Sequence, residues 1–326
     1  MLNKIPLFVT VDTEGDNLWG HPEIIKTENA NGVNRFQIFC EKNNIKPIYL
    51  VNYEMAKDDV LVNTLRDKNM KNLCEVGTHI HAWNSPPIIP LTEDDNKYLP
   101  FLIEYPKNII EEKIRFMTDY IENRFGVKPI SHRAGRWAID EFYMTQLADC
   151  GYKVDCSVTP RINWRCAKGS PEHKGGVDYS KASDKINKLN FANGSITEIP
   201  LSTKKNPLYN NWFMRSLLFL CPVSLRSSKV YNALNARKVM MLRPDVRREK
   251  QQLKLIKKLS IQNAGHIELI IHSSEFYKGT SPHCKTNQDL DYLYEIMQEM
   301  FDELNKFCES ITFRDYINNT EEKNEE

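Results

Sequence analysis

Apolar residues gather in short runs of strand character at Pro6–Val11, Lys46–Val51, Leu73–His81, Pro129–Arg133, Lys153–Val158, Thr197–Leu201 and Ile267–His272. Between most of these runs the spacing changes to that of an amphipathic helix, which predicts helices over Val33–Lys42, Asp58–Lys71, Asn108–Arg124, Asp140–Asp149, Asp245–Asn263 and Gln288–Phe307. Several of them follow an Asn or Asp suited to capping the first turn. Strands that alternate with helices pair in parallel. About seven such units in one chain favour an incomplete (β/α) barrel over an open sheet, with a doubly wound sheet as the alternative that pattern alone leaves open.

The rhythm breaks at a few places. Residues 83–106 hold five prolines and follow directly on a strand, where a barrel of this kind places its site-forming loops. Residues 161–193 are polar, and residues 201–243 are aromatic and basic. All three read as insertions on one domain spanning 1–315, closed by an acidic tail at 316–326 that composition predicts to be flexible.

A 326-residue chain with 41% hydrophobic residues can bury a sizeable core, which argues against disorder. Its opening residues enter a strand-like run without the features of a signal peptide, so a cytoplasmic location is expected. Its eight cysteines show no C-x-x-C spacing, so reduced thiols are the default. No window is long and apolar enough to span a bilayer; the best, 212–225, contains Arg215 and Pro222. Net charge is +1, yet fourteen Lys/Arg face two acids between Lys204 and Lys258. A solvated face accounts for that, as does attraction to phosphate, on a lipid surface or a phosphorylated glycan. No nucleic-acid partner is expected.

Four polar clusters end predicted strands. In Thr10-Val11-Asp12-Thr13-Glu14-Gly15-Asp16, strand alternation sets Asp12 and Glu14 on one face, where two acids repel unless a cation or a proton lies between them. An exposed turn would satisfy the same residues. In Gly77-Thr78-His79-Ile80-His81-Ala82-Trp83 the two imidazoles project to one side, the arrangement of a chelating pair. In Arg133-Ala134-Gly135-Arg136-Trp137 the first Arg suits holding a carboxylate ionised, or a structural ion pair, while Trp137 suits a sugar platform or the core. In Ile270-Ile271-His272-Ser273-Ser274-Glu275 the His ends an apolar strand, and Glu275 is placed to orient it. All four fall at the C-terminal ends of parallel strands, the catalytic face of such barrels.

Taken in order, these motifs resemble those of the polysaccharide deacetylase family, the NodB-homology or carbohydrate esterase family 4 group, and their spelling is similar to its divergent WalW-like branch. The resemblance spans roughly Ile5 to Glu275. It implies Asp12 as catalytic base, Arg133 as the residue that positions it, His272 as general acid, and Glu14 and His79 as ligands of a divalent metal. Trp83 stands where the family carries its second metal histidine, so His81 is the substitute ligand. The family's adjacent aspartates become Asp12-Thr13-Glu14, and its R-x-P-[FY] becomes Arg133-Ala134-Gly135-Arg136, which changes the pocket floor. A His/His/carboxylate set favours zinc. The implied substrate is an N-acetylated sugar or glycan, with Trp83, Arg136, Trp137 and Glu275 as expected contacts. Two other readings stay open: a metal-free glycosidase pairing Asp12, Glu14 or Asp16 with Glu275, and a non-catalytic glycan-binding protein. The basic segment, with Trp212, Phe213 and Leu217–Leu220 beside it, adds an expected contact with a membrane-attached or phosphate-bearing precursor.

Overall fold

The computed structural model describes residues 4–167, 169–170, 172–205, 239–246, 248–262 and 264–325. Most of the insertion at 201–243, including Trp212, Phe213 and Leu217–Leu220, lies outside them.

The first strand, β1 (Ile5–Thr13), is followed by helix α1 (Ala30–Lys42), β2 (Pro47–Val51), the short α2 (Tyr53–Lys57), α3 (Asp59–Met70) and β3 (Glu75–Ile80). After β3 come α4 (Asp95–Tyr98), α5 (Lys107–Phe125), β4 (Ser131–Ala134), α6 (Glu141–Asp149), β5 (Val154–Asp155) and the hairpin of β6 (Asn187–Phe191) and β7 (Gly194–Glu198). A two-stranded ribbon of β8 (Thr203–Lys205) and β9 (Val239–Met241) precedes α7 (Glu249–Ile261), β10 (Ile267–His272), α8 (Asn287–Asn305), β11 (Cys308–Ser310) and α9 (Phe313–Glu325). Asn52, Asp58, Asp94 and Asp140 accept backbone N–H groups at the first turns of α2, α3, α4 and α6, the capping that their residue types favour.

The sheet order is β10-β1-β2-β3-β4-β5-β7-β6, with β11 also paired to β1. Every pairing in it is parallel except that of β6 with β7. The fold is an incomplete (β/α) barrel, a curled half-barrel. The gap between β10 and the segment that follows β7 is bridged by loop backbone: Leu242 N–H donates to Ser202 O at 3.0 Å, and Ile270 N–H donates to Leu242 O at 3.1 Å.

Strand alternation divides the core into two layers. Leu7, Val9 and Val11 of β1 pack outward with α1, where Phe36 stacks on Phe276 at 3.9 Å. Phe8 points the other way, into a cluster with Ile48, Leu50, Val154, Cys156 and Ile199. Phe313 and Ile317 of α9 complete that inner cluster, and the α9 backbone is anchored by Arg314 N–H donating to Glu75 Oε2 at 2.8 Å.

Residues 316–325, expected as an acidic tail, continue the helix α9. Composition registers the acids there and misses Phe313, whose ring packs 4.8 Å from Phe8. The strand predicted at Thr197–Leu201 is also shifted, to Gly194–Glu198, because the two-residue Ala192-Asn193 turn pairs it antiparallel with the unforeseen β6.

Residues 83–106 form the expected loop at the C-terminal end of β3 and contain α4. Buried Lys113 fastens its start by donating to the carbonyls of Ser85 and, at 2.7 Å, Pro87. No helix among the described residues is long and apolar enough to cross a membrane.

Candidate active site

The four polar clusters converge at the C-terminal ends of β1, β3, β4 and β10. Parallel pairing sets Asp12 opposite His272, and His79 opposite Arg133. Across the first pair His272 Nε2 lies 3.8 Å from Asp12 Oδ2 and 4.0 Å from Glu14 Oε1.

Arg133 is 0% exposed, and each of its three guanidinium nitrogens is hydrogen-bonded. It pairs with Asp12 and with Glu268, and donates to Thr10 Oγ1 at 2.9 Å and to Cys156 O at 3.1 Å. Burial alone would raise the Asp12 carboxyl, but Arg133, His79 and His272 override it and hold that group below the ordinary carboxylate range. Glu268 sits deeper, and burial outweighs Arg133 there to push it up to about 7. Sequence reading passed over Glu268. The signal was available: residues 268, 270 and 272 share a strand face.

Glu14 Oε2 meets both imidazoles, His81 Nε2 at 3.0 Å and His79 Nε2 at 3.5 Å. His79 Nδ1 lies 2.8 Å from Arg133 O, and because a carbonyl only accepts, Nδ1 carries the proton. In neutral His79 the Nε2 lone pair then faces a carboxylate oxygen, and two acceptors at that distance repel unless a cation or a proton stands between them. A divalent ion fits. One ligand atom from each of Glu14, His79 and His81 lies within 4.8 Å of the others, and all three residues are buried. Tetrahedral zinc with bonds of about 2.0–2.2 Å would space its ligands roughly 3.3–3.5 Å apart, close to the two contacts found here. The adjoining His79 and His81 imidazoles overcome burial and draw the Glu14 carboxyl far below its usual range. Burial lowers His81, whereas Asp12 and Glu14 outweigh burial and raise His79.

Neighbouring loops fix this acid. The Ser273 hydroxyl lies 3.2 Å from both Glu14 N and Glu14 O, and Asn29 Nδ2 donates to Glu14 O at 3.0 Å. Gly15 N–H donates to Glu54 Oε1 at 3.1 Å. Asp16 is turned to the loop, where it accepts the backbone N–H groups of Glu28 and Asn29.

The remaining expected residues ring the mouth. The Trp83 ring lies 4.5 Å from that of His81, and the Arg136 guanidinium stands 5.3 Å over Trp83. Trp137 lies beneath Arg133 at 4.9 Å. Arg136 and Trp137 have φ of 54° and 62°, the left-handed region that L-residues rarely adopt. Glu275 and His272 form a capping box, in which the His272 side chain accepts the Glu275 backbone N–H. The Glu275 carboxylate accepts two bonds from Arg243, at 2.8 and 3.0 Å, and the His272 backbone N–H at 3.3 Å. Asp16 and Glu275 are thus each held by groups outside the Glu14, His79 and His81 cluster.

The fold and this arrangement define a (β/α)-barrel protein with a buried carboxylate and histidine centre at the strand ends. No protein-family model matches the chain, and no curated protein matches it. Solved structures do. A putative polysaccharide deacetylase from Mycobacterium smegmatis matches with a TM-score of 0.50 and 14% identity, over 95% of this chain and 89% of that one. A 4-alpha-glucanotransferase from Thermococcus litoralis matches with a TM-score of 0.54 and 13% identity, over 97% of this chain but 40% of that one. A family 4 carbohydrate esterase from Streptomyces lividans, in complex with acetate, matches with a TM-score of 0.43 and 9% identity, over 94% and 91%. The fold is a (β/α) barrel of the kind seen in that polysaccharide deacetylase structure.

Proposed function

We propose that this chain is a hydrolase that removes the acetyl group from an N-acetylated sugar of a cell-envelope polysaccharide or its precursor, within the WalW-like branch of the deacetylases. One juxtaposition carries the reading: Asp12, bound to Arg133, lies 3.8 Å from His272 beside the Glu14, His79 and His81 donors.

Glu14, His79 and His81 would hold a divalent ion, zinc by donor type, which when bound would polarise the acetamide oxygen and acidify water. Asp12 acts as the base. Arg133 keeps it ionised and fixes its rotamer, so that its outer oxygen takes a proton from the water that adds to the acetamide carbon. His272, when protonated, delivers a proton to the amide nitrogen, and the C–N bond breaks with a neutral amine as leaving group. Acetate and a free amino sugar result. Trp83 and Trp137 offer flat faces at the mouth for the sugar ring. The same reading places the enzyme in the cytoplasm at the inner face of the membrane, with residues 204–258 directed to a lipid-linked or phosphate-bearing precursor.

The test joins elemental analysis of protein purified without chelator to acetate release from N-acetyl-sugar nucleotides, lipid-linked sugars and oligosaccharides. Bound zinc and acetate release are expected, with Asp12→Asn and His272→Ala each lowering turnover by about 10²–10⁴-fold in a folded protein. Near-normal acetate release from either variant overturns the assignment.

A further inference from the structure

We propose that Arg136 recognises an anionic group, so that the preferred substrate is an N-acetylated sugar bearing a carboxylate or a phosphate. This rests on the deacetylase reading and names the substrate class of that site.

Arg133, Arg161 and Arg243 each pair with a carboxylate, of Asp12, Asp184 and Glu275 respectively. Arg136 pairs with none among the described residues. Its hydrogen bonds there run from Nη2 to Asn96, at 3.1 Å to Oδ1 and 3.4 Å to the carbonyl oxygen. The guanidinium is half-buried over the Trp83 ring, 5.3 Å from its centroid. Glu14 is the acid that acts on it through space, and the two histidines already engage that carboxylate.

A partly desolvated cation without a counter-ion is costly to hold, and a bound anion would offset that cost. Trp83 and Asn96 fix the plane of the group, which leaves Nε and Nη1 with no hydrogen bond among the described residues. A flat guanidinium presents such an edge in the fork geometry that matches a carboxylate or a phosphate. Its position at the mouth, beside His81 and Trp83, puts the anion next to the ring whose acetamide enters the site.

Calorimetry would compare three probes: N-acetylglucosamine, N-acetylmuramic acid, which adds a carboxylate, and N-acetylglucosamine 6-phosphate. Each is titrated into zinc-loaded and chelator-treated protein, as wild type, Arg136→Gln and Arg136→Lys. At least one charged probe is expected to bind wild type tenfold or more tightly than the neutral sugar. Which one does so tells the two sources of the anion apart. Arg136→Gln should abolish that advantage, lowering affinity for the charged probe by a larger factor than for the neutral sugar, while Arg136→Lys retains part of it. Equal binding of all three probes to wild type overturns the proposal, as does an equal loss for charged and neutral sugars in Arg136→Gln. Since these are binding measurements, a charge preference without acetate release would sink the deacetylase reading and leave Arg136 as an anion site.

Discussion

The His81 imidazole lies directly against Gly135: a β-carbon at residue 135 would sit 2.8 Å from His81 Nδ1 and 2.7 Å from Ile80 O. The ring that turns Nε2 toward Glu14 is thus seated on a backbone with no side chain. Gly135→Ala should push the ring off the donor set, weaken zinc binding at least tenfold and destabilise the fold by about 1–3 kcal/mol. Competition with a chromophoric chelator and urea unfolding would measure the two effects.

His81→Ala should lower zinc affinity by a factor of 100 or more, since it removes one of three protein donors. Trp83→Phe should leave that affinity nearly unchanged and weaken sugar binding instead. If the Trp83 variant loses zinc while the His81 variant keeps it, the ligand assignment is wrong.

Lys113 fastens the loop after β3 through the carbonyls of Ser85 and Pro87, and burial pushes its pKa down to about 8. Lys113→Met would leave those carbonyls without their donor, at a cost of about 1–3 kcal/mol. Limited proteolysis should then cut residues 86–91 earlier than in wild type, where Ile88, Ile89 and Leu91 are already exposed.

Glu54 joins two mouth loops by accepting from Gly15 N–H at 3.1 Å and Asn84 Nδ2 at 2.8 Å, and burial raises its pKa to about 7. A raised carboxyl favours the protonated form in the folded state, so its contribution is full below about pH 4.5 and lost as pH rises through 7. Glu54→Gln should remove this slope. Unfolding free energies measured from pH 4.5 to 8 should show wild type losing stability relative to the variant across that window.

Period-two and helical spacing were enough to place most of the parallel strands and the long helices, because each element has one face against the core. Asp12, Glu14, His79, His81, Arg133 and His272 were legible for the same reason, as polar residues that end apolar strands. Glu268 was hidden by its apolar neighbours, and its role depends on Arg133 reaching across the barrel. The commitment of Glu275 to Arg243 depends on a residue from another segment. The α9 helix was masked by its acids, since one buried aromatic decides its packing.

The pairing of β1 with β10 joins segments from nearly opposite ends of the described chain. Contacts this distant in sequence close late, after loop-closure entropy has been overcome. A partly folded molecule with β1 to β4 docked would gather Glu14, His79, His81 and Arg133 and still lack His272. Competence to bind a cation should therefore precede competence to turn over substrate during refolding, and the lag between them would time the arrival of β10.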